Sequence, residues 1–184
     1  MRFKDKIVLI TGSAGGIGFK TALDFGNEGA IVAVTDIDFE MAKKLSNRII
    51  SNGGVSEPFQ LDVTDLEQTK NVFETLNEKH GVCDIVFCNA GIRELTPMLD
   101  LPFEEWKKVI DVNVNGVFLS AQTFAKNCVK NSKKGNIVIT ASTLGIVAAN
   151  SRCAYTTSKH ATVGLTKQLA CLLYTSPSPR DRNV

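Results

Sequence analysis

The chain alternates between short apolar runs and longer amphipathic segments. The apolar runs occupy residues 7–10, 30–34, 85–87 and 137–139, with a weaker run at 55–61. A strand with one face in water would alternate between apolar and polar residues, and the four stronger runs do not. We therefore predict five strands of a parallel sheet that is covered by helices on both faces.

The segments between these runs carry apolar residues at positions i, i+3, i+4 and i+7, a pattern typical of amphipathic helices. It predicts helices over residues 17–28, 39–52, 65–79, 114–128 and 153–173. Asp65 is a candidate N-cap, with Gln68 completing a capping box, and Gly81 is a candidate C-terminal stop. The repeated order of strand and helix predicts a doubly wound, Rossmann-like α/β fold.

Composition and charge narrow the possible functions. The 184 residues carry 21 Lys and Arg against 19 Asp and Glu, without a basic block, so nucleic-acid binding is not expected. The apolar runs are too short for a transmembrane helix or a signal peptide, so we expect no membrane partner. The five cysteines form no CxxC pair and there are two histidines, so we expect no metal site, no disulfide framework and a reducing, cytoplasmic setting.

A glycine-rich loop follows the first predicted strand and precedes the first predicted helix. It reads Thr-Gly-Ser-Ala-Gly-Gly-Ile-Gly over residues 11–18. Gly12 permits a tight turn, Gly16 lets a pyrophosphate approach the backbone, and Gly18 lets the helix pack closely on the strand. The helix N-terminus adds free N–H groups and the positive end of its dipole. The spacing is G-x-x-x-G-x-G, and an ordinary glycine-rich turn is the alternative.

Asp36 closes the second predicted strand, 18 residues after Gly18. A carboxylate at this place accepts hydrogen bonds from both ribose hydroxyls of adenosine and repels a 2′-phosphate. No Lys or Arg lies in residues 13–15 to attract such a phosphate. The sequence therefore predicts NAD as the cofactor, with NADP less favoured. The alternative role for Asp36 is to cap the helix that follows.

Tyr155 and Lys159 lie four residues apart in the last predicted helix, on one face. A free tyrosine has a pKa near 10, so acid–base chemistry near neutral pH requires that pKa to fall by about 2–3. A neighbouring ammonium, reinforced by a positively charged cofactor ring, favours the phenolate. The alternative is a surface pair worth a few tenths of a kcal/mol.

Together these features resemble the short-chain dehydrogenase/reductase family. The matching motifs, in the family's order, are residues 11–18, Asn89-Ala90-Gly91, Asn113, Ser142 and the pair Tyr155 and Lys159. The resemblance extends over residues 4–170. It departs from the family at Cys88, where the commoner motif has asparagine. We expect this difference to weaken a structural hydrogen bond and not the chemistry.

The resemblance implies an oxidoreductase that transfers a hydride between a nicotinamide cofactor and a small alcohol or carbonyl substrate. It implies that Tyr155 is the acid/base and that Lys159 assists it and binds the nicotinamide ribose. It also implies that Ser142 holds the substrate oxygen and that Asn113 positions a water joining Lys159 to solvent. The implied cofactor contacts are Gly12, Ser13, Gly16, Ile17, Gly18, Asp36, Asp62, Val63, Asn89, Ala90, Gly91, Tyr155 and Lys159. Taken singly, Ser142 could end a strand, Asn113 cap a helix and Asp62 cap a turn.

The end of the chain departs from the family. The resemblance implies a sheet in the order 3-2-1-4-5-6-7, whereas the apolar runs predict five strands. Residues from about Cys171 onward instead resemble translated read-through of a sequencing adaptor. We expect a dehydrogenase domain over residues 1–170, incomplete at its C-terminus, and a non-native tail over residues 171–184, disordered beyond Tyr174.

The missing strands would leave the run at 137–139 as an open edge that favours aggregation. The 184-residue chain is therefore expected to be inactive or insoluble, and the parent protein to be an active homo-oligomer. Within the enzyme class, a 3-oxoacyl-thioester reductase competes with a sugar or polyol dehydrogenase. Outside that class, the alternatives are a non-catalytic NAD-binding module and an inactive fragment.

Overall fold

The computed structural model describes residues 1–174, and it contains one parallel sheet. The strands are β1 (Ile7–Thr11), β2 (Ile31–Asp36), β3 (Val55–Gln60), β4 (Ile85–Cys88) and β5 (Asn136–Ile139). Their spatial order is β3-β2-β1-β4-β5, and every neighbouring pair is parallel. The predicted doubly wound, Rossmann-like sheet is confirmed. The strand order reverses between β1 and β4, and in such sheets ligands bind at that point, beyond the carboxyl ends of the strands.

The described part of the chain contains six α-helices, of which five lie between successive strands and the sixth follows β5. They are α1 (Gly16–Asn27), α2 (Phe39–Ser51), α3 (Leu66–His80), α4 (Phe103–Ile110), α5 (Gly116–Lys130) and α6 (Cys153–Tyr174). All five predicted helices are present within about two residues of their expected bounds. The sequence analysis did not predict α4, although Phe103, Trp106 and Ile110 follow helical spacing, because eight residues are a short window for that period. Helix α5 begins later than expected, because Asp111–Asn115 form a π-helical turn.

Local capping is confirmed in part. The Asp65 side chain accepts a hydrogen bond from the backbone N–H of Gln68 (3.0 Å), and Gly81 ends α3 with φ of 100°. The capping box is wrong, however, because the N–H of Asp65 already bonds the carbonyl of Asp62. The Gln68 side chain instead accepts from the N–H of Asp62 (2.9 Å) and donates to the carboxylate of Asp65 (3.0 Å).

Two apolar cores lie on opposite faces of the sheet. On one face, Leu9 and Val86 pack with Phe73 of α3 and Phe124 of α5. On the other face, the strands pack against α1 and α2, whose buried residues include Ala22, Leu23, Leu45 and Ile49. The three central strands are almost wholly buried, which is why their apolar runs are unbroken.

The edge strand β5 pairs only with β4 among residues 1–174, and Val138 is 48% exposed. Helix α6 continues through the start of the expected tail as far as Tyr174. The rest of that tail lies outside the described residues. None of the described helices combines the length and apolar character needed to cross a membrane. In the same residues, no group of three or more His, Cys, Asp or Glu side chains is placed to hold a metal ion.

Candidate active site

The glycine loop packs tightly against the segment that follows β4. Gly12 has φ of +59°, and a Cβ on it would lie 2.7 Å from the Cα of Ala90. A Cβ on Gly18 would lie 2.5 Å from the carbonyl oxygen of Gly12 and 2.6 Å from Nδ2 of Asn89. Both positions therefore require glycine, because real Cβ atoms do not approach backbone this closely.

The other half of the loop is open. Gly16 has φ of +53°, and a Cβ on Gly15 or Gly16 would meet nothing within 4 Å. No side chain caps α1, and Ile17 in its first turn is 64% exposed. The result is an open cradle at a helix N-terminus, which fits a diphosphate. Ser13 faces away from this cradle, since its buried hydroxyl donates to the carbonyl of Thr35 (3.2 Å).

Asp36 ties the end of β2 to this loop. One carboxylate oxygen accepts from the N–H of Ala14 (3.0 Å) and the other accepts from the N–H of Asp38 (3.1 Å). Each oxygen retains a second acceptor site for a ligand hydroxyl. The cap of α2 is Asp38, whose side chain accepts from the N–H of Met41 (3.0 Å), so the capping alternative does not apply to Asp36.

Asn89 joins the carboxyl ends of three strands. Its amide nitrogen donates to the carbonyls of Thr11 (3.2 Å) and Gly12 (2.9 Å), and its amide oxygen accepts from the hydroxyl of Thr140 (3.1 Å). The hydroxyl of Thr11 accepts in return from the N–H groups of Asn89 and Ala90 (3.0 and 3.1 Å). Sequence reasoning identified Asn89 and missed both threonines, because its partners are fixed only by the strand order.

Asp62 and Val63 follow β3. The carboxylate of Asp62 accepts from the N–H (2.9 Å) and the hydroxyl (2.7 Å) of Thr64, so Asp62 does cap a turn. Val63 is 6% exposed and packs on Gly116, where a Cβ would lie 2.5 Å from Cγ2 of Val63. Structural contacts thus account for much of the environment of both residues.

Lys159 is buried beside the end of β5 and is not part of a surface pair. It is 3% exposed, its ammonium donates to the carbonyl of Thr140 (2.7 Å), and it lies 5.6 Å from the centre of the Tyr155 ring. A Cβ on Gly91 would lie 3.7 Å from Nζ of Lys159, so the Asn-Ala-Gly segment connects this pair to the glycine loop. Burial lowers the pKa of Lys159, because it removes water from the charged form.

Asn113 lies fully buried in the π-helical turn and caps no helix. Its oxygen accepts from the N–H of Ile92 (2.8 Å), and its nitrogen donates to the carbonyl of Ile92 (2.8 Å) and to the hydroxyl of Ser158 (2.9 Å). Single π turns inside helices often occur at functional sites. Here the turn places the side-chain amide of Asn113 between Ile92, which follows β4, and Ser158 on the buried face of α6.

Ser142 follows β5 and caps the 3-10 turn Thr143–Gly145 by accepting from the N–H of Leu144 (3.2 Å). The turn packs against α6, since a Cβ on Gly145 would lie 3.0 Å from the carbonyl oxygen of Lys159. The Ser142 hydroxyl donates no hydrogen bond to the groups described over residues 1–171, so its proton can be donated to a ligand.

The structure adds Glu94, which sequence reasoning missed. This carboxylate is 1% exposed and accepts from the N–H groups of Ala154 (2.7 Å) and Tyr155 (3.0 Å), so it caps the helix that carries Tyr155 and Lys159. Sequence patterns predict a cap from the residues that flank a helix. Glu94 lies 60 positions before Ala154, so no such pattern includes it. The one signal was an acidic residue three places after the Asn-Ala-Gly motif.

Cys88 is buried, and its sulfur lies 4.0 Å from the carbonyl oxygen of Val117. Burial raises the pKa of Cys88 to about 12. The thiol is therefore neutral near pH 7 and makes at most a weak contact where the commoner motif has an amide.

Comparison with known proteins agrees with this geometry. The family model described as short chain dehydrogenase matches residues 6–176. The chain belongs to the short-chain dehydrogenase family, and the resemblance drawn from the motifs is confirmed.

Individual relatives are longer than this chain. The probable oxidoreductase EphD of Mycobacterium tuberculosis is 39% identical over 160 residues, which cover 87% of this chain and 27% of that protein. The 3-oxoacyl-[acyl-carrier-protein] reductase FabG of Thermotoga maritima is 37% identical, over 92% of this chain and 69% of its own length.

Solved structures share the fold closely. NAD+-bound xylitol dehydrogenase has a TM-score of 0.90 at 30% identity, over 95% of this chain and 67% of that one. A metagenomic short-chain oxidoreductase in complex with NADP has a TM-score of 0.89 at 27% identity, over 95% of this chain and 79% of that one. These neighbours bind different nicotinamide dinucleotides, so the comparison does not select between NAD and NADP.

Proposed function

We propose that this protein is an NAD(H)-dependent alcohol/carbonyl oxidoreductase in which Tyr155 is the acid/base. The observation that carries the proposal is the buried Lys159 ammonium beside Tyr155 and Gly91. Within the described residues Lys159 forms no ion pair, and its one hydrogen bond is to a neutral carbonyl. A buried cation without a counter-ion stabilises a phenolate on the same helix face.

The cofactor contacts follow from the open and closed parts of the loop. The N–H groups at Gly16 and Ile17 would bind the pyrophosphate, and Asp36 would accept from the adenosine ribose. Gly12, Ser13 and Gly18 shape the loop, while Asp62 and Val63 would border the adenine. Asn89, Ala90 and Gly91 would line the path to the nicotinamide ribose at Lys159. When bound, the cofactor supplies the hydride chemistry.

Proton movements belong to the chain's own side chains. Tyr155 gives its phenolic proton to the carbonyl oxygen during reduction and accepts the hydroxyl proton during oxidation. Ser142 donates its free hydroxyl proton to the same oxygen. Asn113 has one unused acceptor site on Oδ1, close to Gly91 and therefore to Lys159, where a water would connect the ammonium to solvent.

Selection of NAD over NADP rests on Asp36, which has no Lys or Arg partner in the described residues. A 2′-phosphate beside this carboxylate would meet an uncompensated like charge. The substrate is a small alcohol or carbonyl compound. Similarity to FabG supports an oxoacyl thioester as a candidate substrate, and similarity to xylitol dehydrogenase supports a polyol. Assembly of the parent protein as a homo-oligomer and a cytoplasmic location stay predictions.

The test measures cofactor binding and turnover separately, on the purified 184-residue chain and on the parent protein. Calorimetric titration should show NADH binding at least about 10-fold more tightly than NADPH. NADH oxidation is then followed with ketones, an oxoacyl thioester and, in reverse, polyols. Tyr155→Phe should keep NADH affinity and lose about 10²- to 10⁴-fold in turnover.

The outcomes separate the alternatives. Tight NADH binding without turnover by either protein would favour a non-catalytic module, and turnover by the parent protein alone would favour an inactive fragment. Turnover that survives Tyr155→Phe unchanged would refute the role of the phenol. Failure of both nucleotides to bind would refute the function as a whole.

A further inference from the structure

A cleft of about 490 Å³ opens beside the N-terminus of α6. Its walls include Pro97 and Met98 on one side and Asn150, Arg152 and Cys153 on the other. Arg152 is the only charged residue of this lining. The cleft therefore adjoins the catalytic helix and presents one cation within an otherwise neutral surface.

Arg152 is held in place with one edge free. Its Nη1 atom donates to the carbonyls of Ser151 (2.8 Å) and Glu94 (3.1 Å). Its Nε and Nη2 atoms form no hydrogen bond with the side chains and backbone described over residues 1–171. Neither atom is among the buried polar atoms that lack a partner. These two atoms lie on the same edge of the planar guanidinium, which is the fork that binds both oxygens of a carboxylate.

The charge of Arg152 has no ion-pair partner in the described residues. Glu94 is the acidic neighbour, but it contacts Arg152 through its backbone carbonyl. Its carboxylate is buried and accepts from the N–H groups of Ala154 and Tyr155. The first turn of α6 is thus already capped, and the open guanidinium edge is the group left to bind an anion.

We propose that Arg152 binds a carboxylate of the substrate, so that the protein acts on an oxo acid or the corresponding hydroxy acid. This inference rests on the proposed function. Arg152 precedes Tyr155 by three residues, and its carbonyl accepts the first hydrogen bond of α6 from the N–H of Thr156 (2.8 Å). Arg152 directly precedes Cys153, the first residue of α6, so it lies at the N-terminus of the helix that carries Tyr155. A substrate that reaches both Arg152 and Tyr155 would carry its carboxylate a few bonds from the reacting carbonyl.

The test compares substrates that differ in charge and little else. NADH oxidation is measured with 3-oxobutanoate, the neutral 3-oxobutanamide and the phosphate ester of hydroxyacetone. We expect kcat/KM for the acid to exceed that for the amide by about 10- to 100-fold, the usual effect of a charge-assisted pair. Arg152→Met should reduce this ratio by the same factor. The matched control is Arg93→Met, which removes a nearby exposed arginine outside the cleft lining and should preserve the ratio.

Each alternative result has a distinct meaning. Equal use of acid and amide, or an equal loss in Arg93→Met, would overturn the role of Arg152 and leave the oxidoreductase function intact. Preference for the phosphate ester would overturn the carboxylate assignment. If the protein reduces none of these compounds, ligand binding to its NADH complex is measured instead by ligand-observed NMR. Butanoate should bind there, butanamide should bind more weakly, and Arg152→Met should abolish the difference. Absence of butanoate binding would refute the inference, whereas absence of NADH binding would refute the proposed function.

Discussion

Replacing Glu94 by alanine removes the buried carboxylate that caps α6, the helix that carries Tyr155 and Lys159. The carboxylate accepts from two backbone N–H groups, and Ala154, which carries one of them, is fully buried. Alanine offers these groups no acceptor, and the buried position gives water little access. The N–H groups of Ala154 and Tyr155 in the first turn of α6 would therefore lose their hydrogen-bond acceptor, and the backbone of Tyr155 would be less restrained.

The magnitude follows from the number and type of these bonds. A hydrogen bond to a charged group contributes about 1.5–3 kcal/mol, and loss of an N-cap typically costs about 1 kcal/mol. Removing a buried charge also recovers part of its desolvation cost. We expect Glu94→Ala to lower the free energy of unfolding by about 2–4 kcal/mol. Glu94→Gln retains an oxygen acceptor and should cost about half as much.

Urea unfolding of the three proteins measures this loss. With a slope of about 2 kcal/mol per M, the midpoint should fall by about 1–2 M for Glu94→Ala. Amide hydrogen exchange at Ala154 and Tyr155 should accelerate together with it. The control is Glu78→Ala on α3, which removes an exposed glutamate without hydrogen bonds or ion pairs in the described residues and should shift stability by no more than about 0.5 kcal/mol. If Glu94→Ala moves the midpoint no further than Glu78→Ala, the capping role is refuted.

Three further predictions concern the glycine loop, Lys159 and Asp36. Gly18→Ala should lower the free energy of unfolding in urea by about 1–3 kcal/mol, because its Cβ would lie 2.5 Å from a backbone oxygen. The control Gly15→Ala places its Cβ in open space and should leave that free energy unchanged. Equal losses in the two variants would contradict this packing. Burial lowers the pKa of Lys159 below 10.5, so the folded state binds its proton more weakly than the unfolded state and gains stability as the pH rises toward 10.5. The free energy of unfolding of Lys159→Met should therefore exceed that of the unsubstituted protein by most at pH 7, and the difference should shrink toward pH 10.5. A difference that does not depend on pH would refute the cost of the buried charge. Asp36→Asn should reduce the preference for NADH over NADPH by about 10-fold in calorimetric titration, and an unchanged ratio would remove Asp36 from the selection of cofactor.

Much of the fold could be read from the sequence because its signals are local. The unbroken runs of β1, β2 and β4 reflect burial on both faces, and the cap at Asp65 and the stop at Gly81 depend on neighbouring residues. Where two local partners compete for one side chain, the spacing along the chain does not decide which of them it bonds. Gln68 could reach either the N–H of Asp65 or that of Asp62, and the bond between Asp65 and Asp62 decided the outcome.

By itself, the sequence determined the strand–helix order, the glycine loop and the presence of a tyrosine and a lysine one helical turn apart. Only the tertiary structure decided that the lysine is buried against Thr140 and that Glu94 caps α6. It also decided that Arg152 keeps one edge of its guanidinium free toward a cleft. Periodicity and turn chemistry operate within one or two helical turns, whereas Glu94 and Ala154 are 60 residues apart and meet because β4 lies next to β5 in the sheet. The order of the strands therefore sets these contacts, which the spacing of residues along the chain cannot specify.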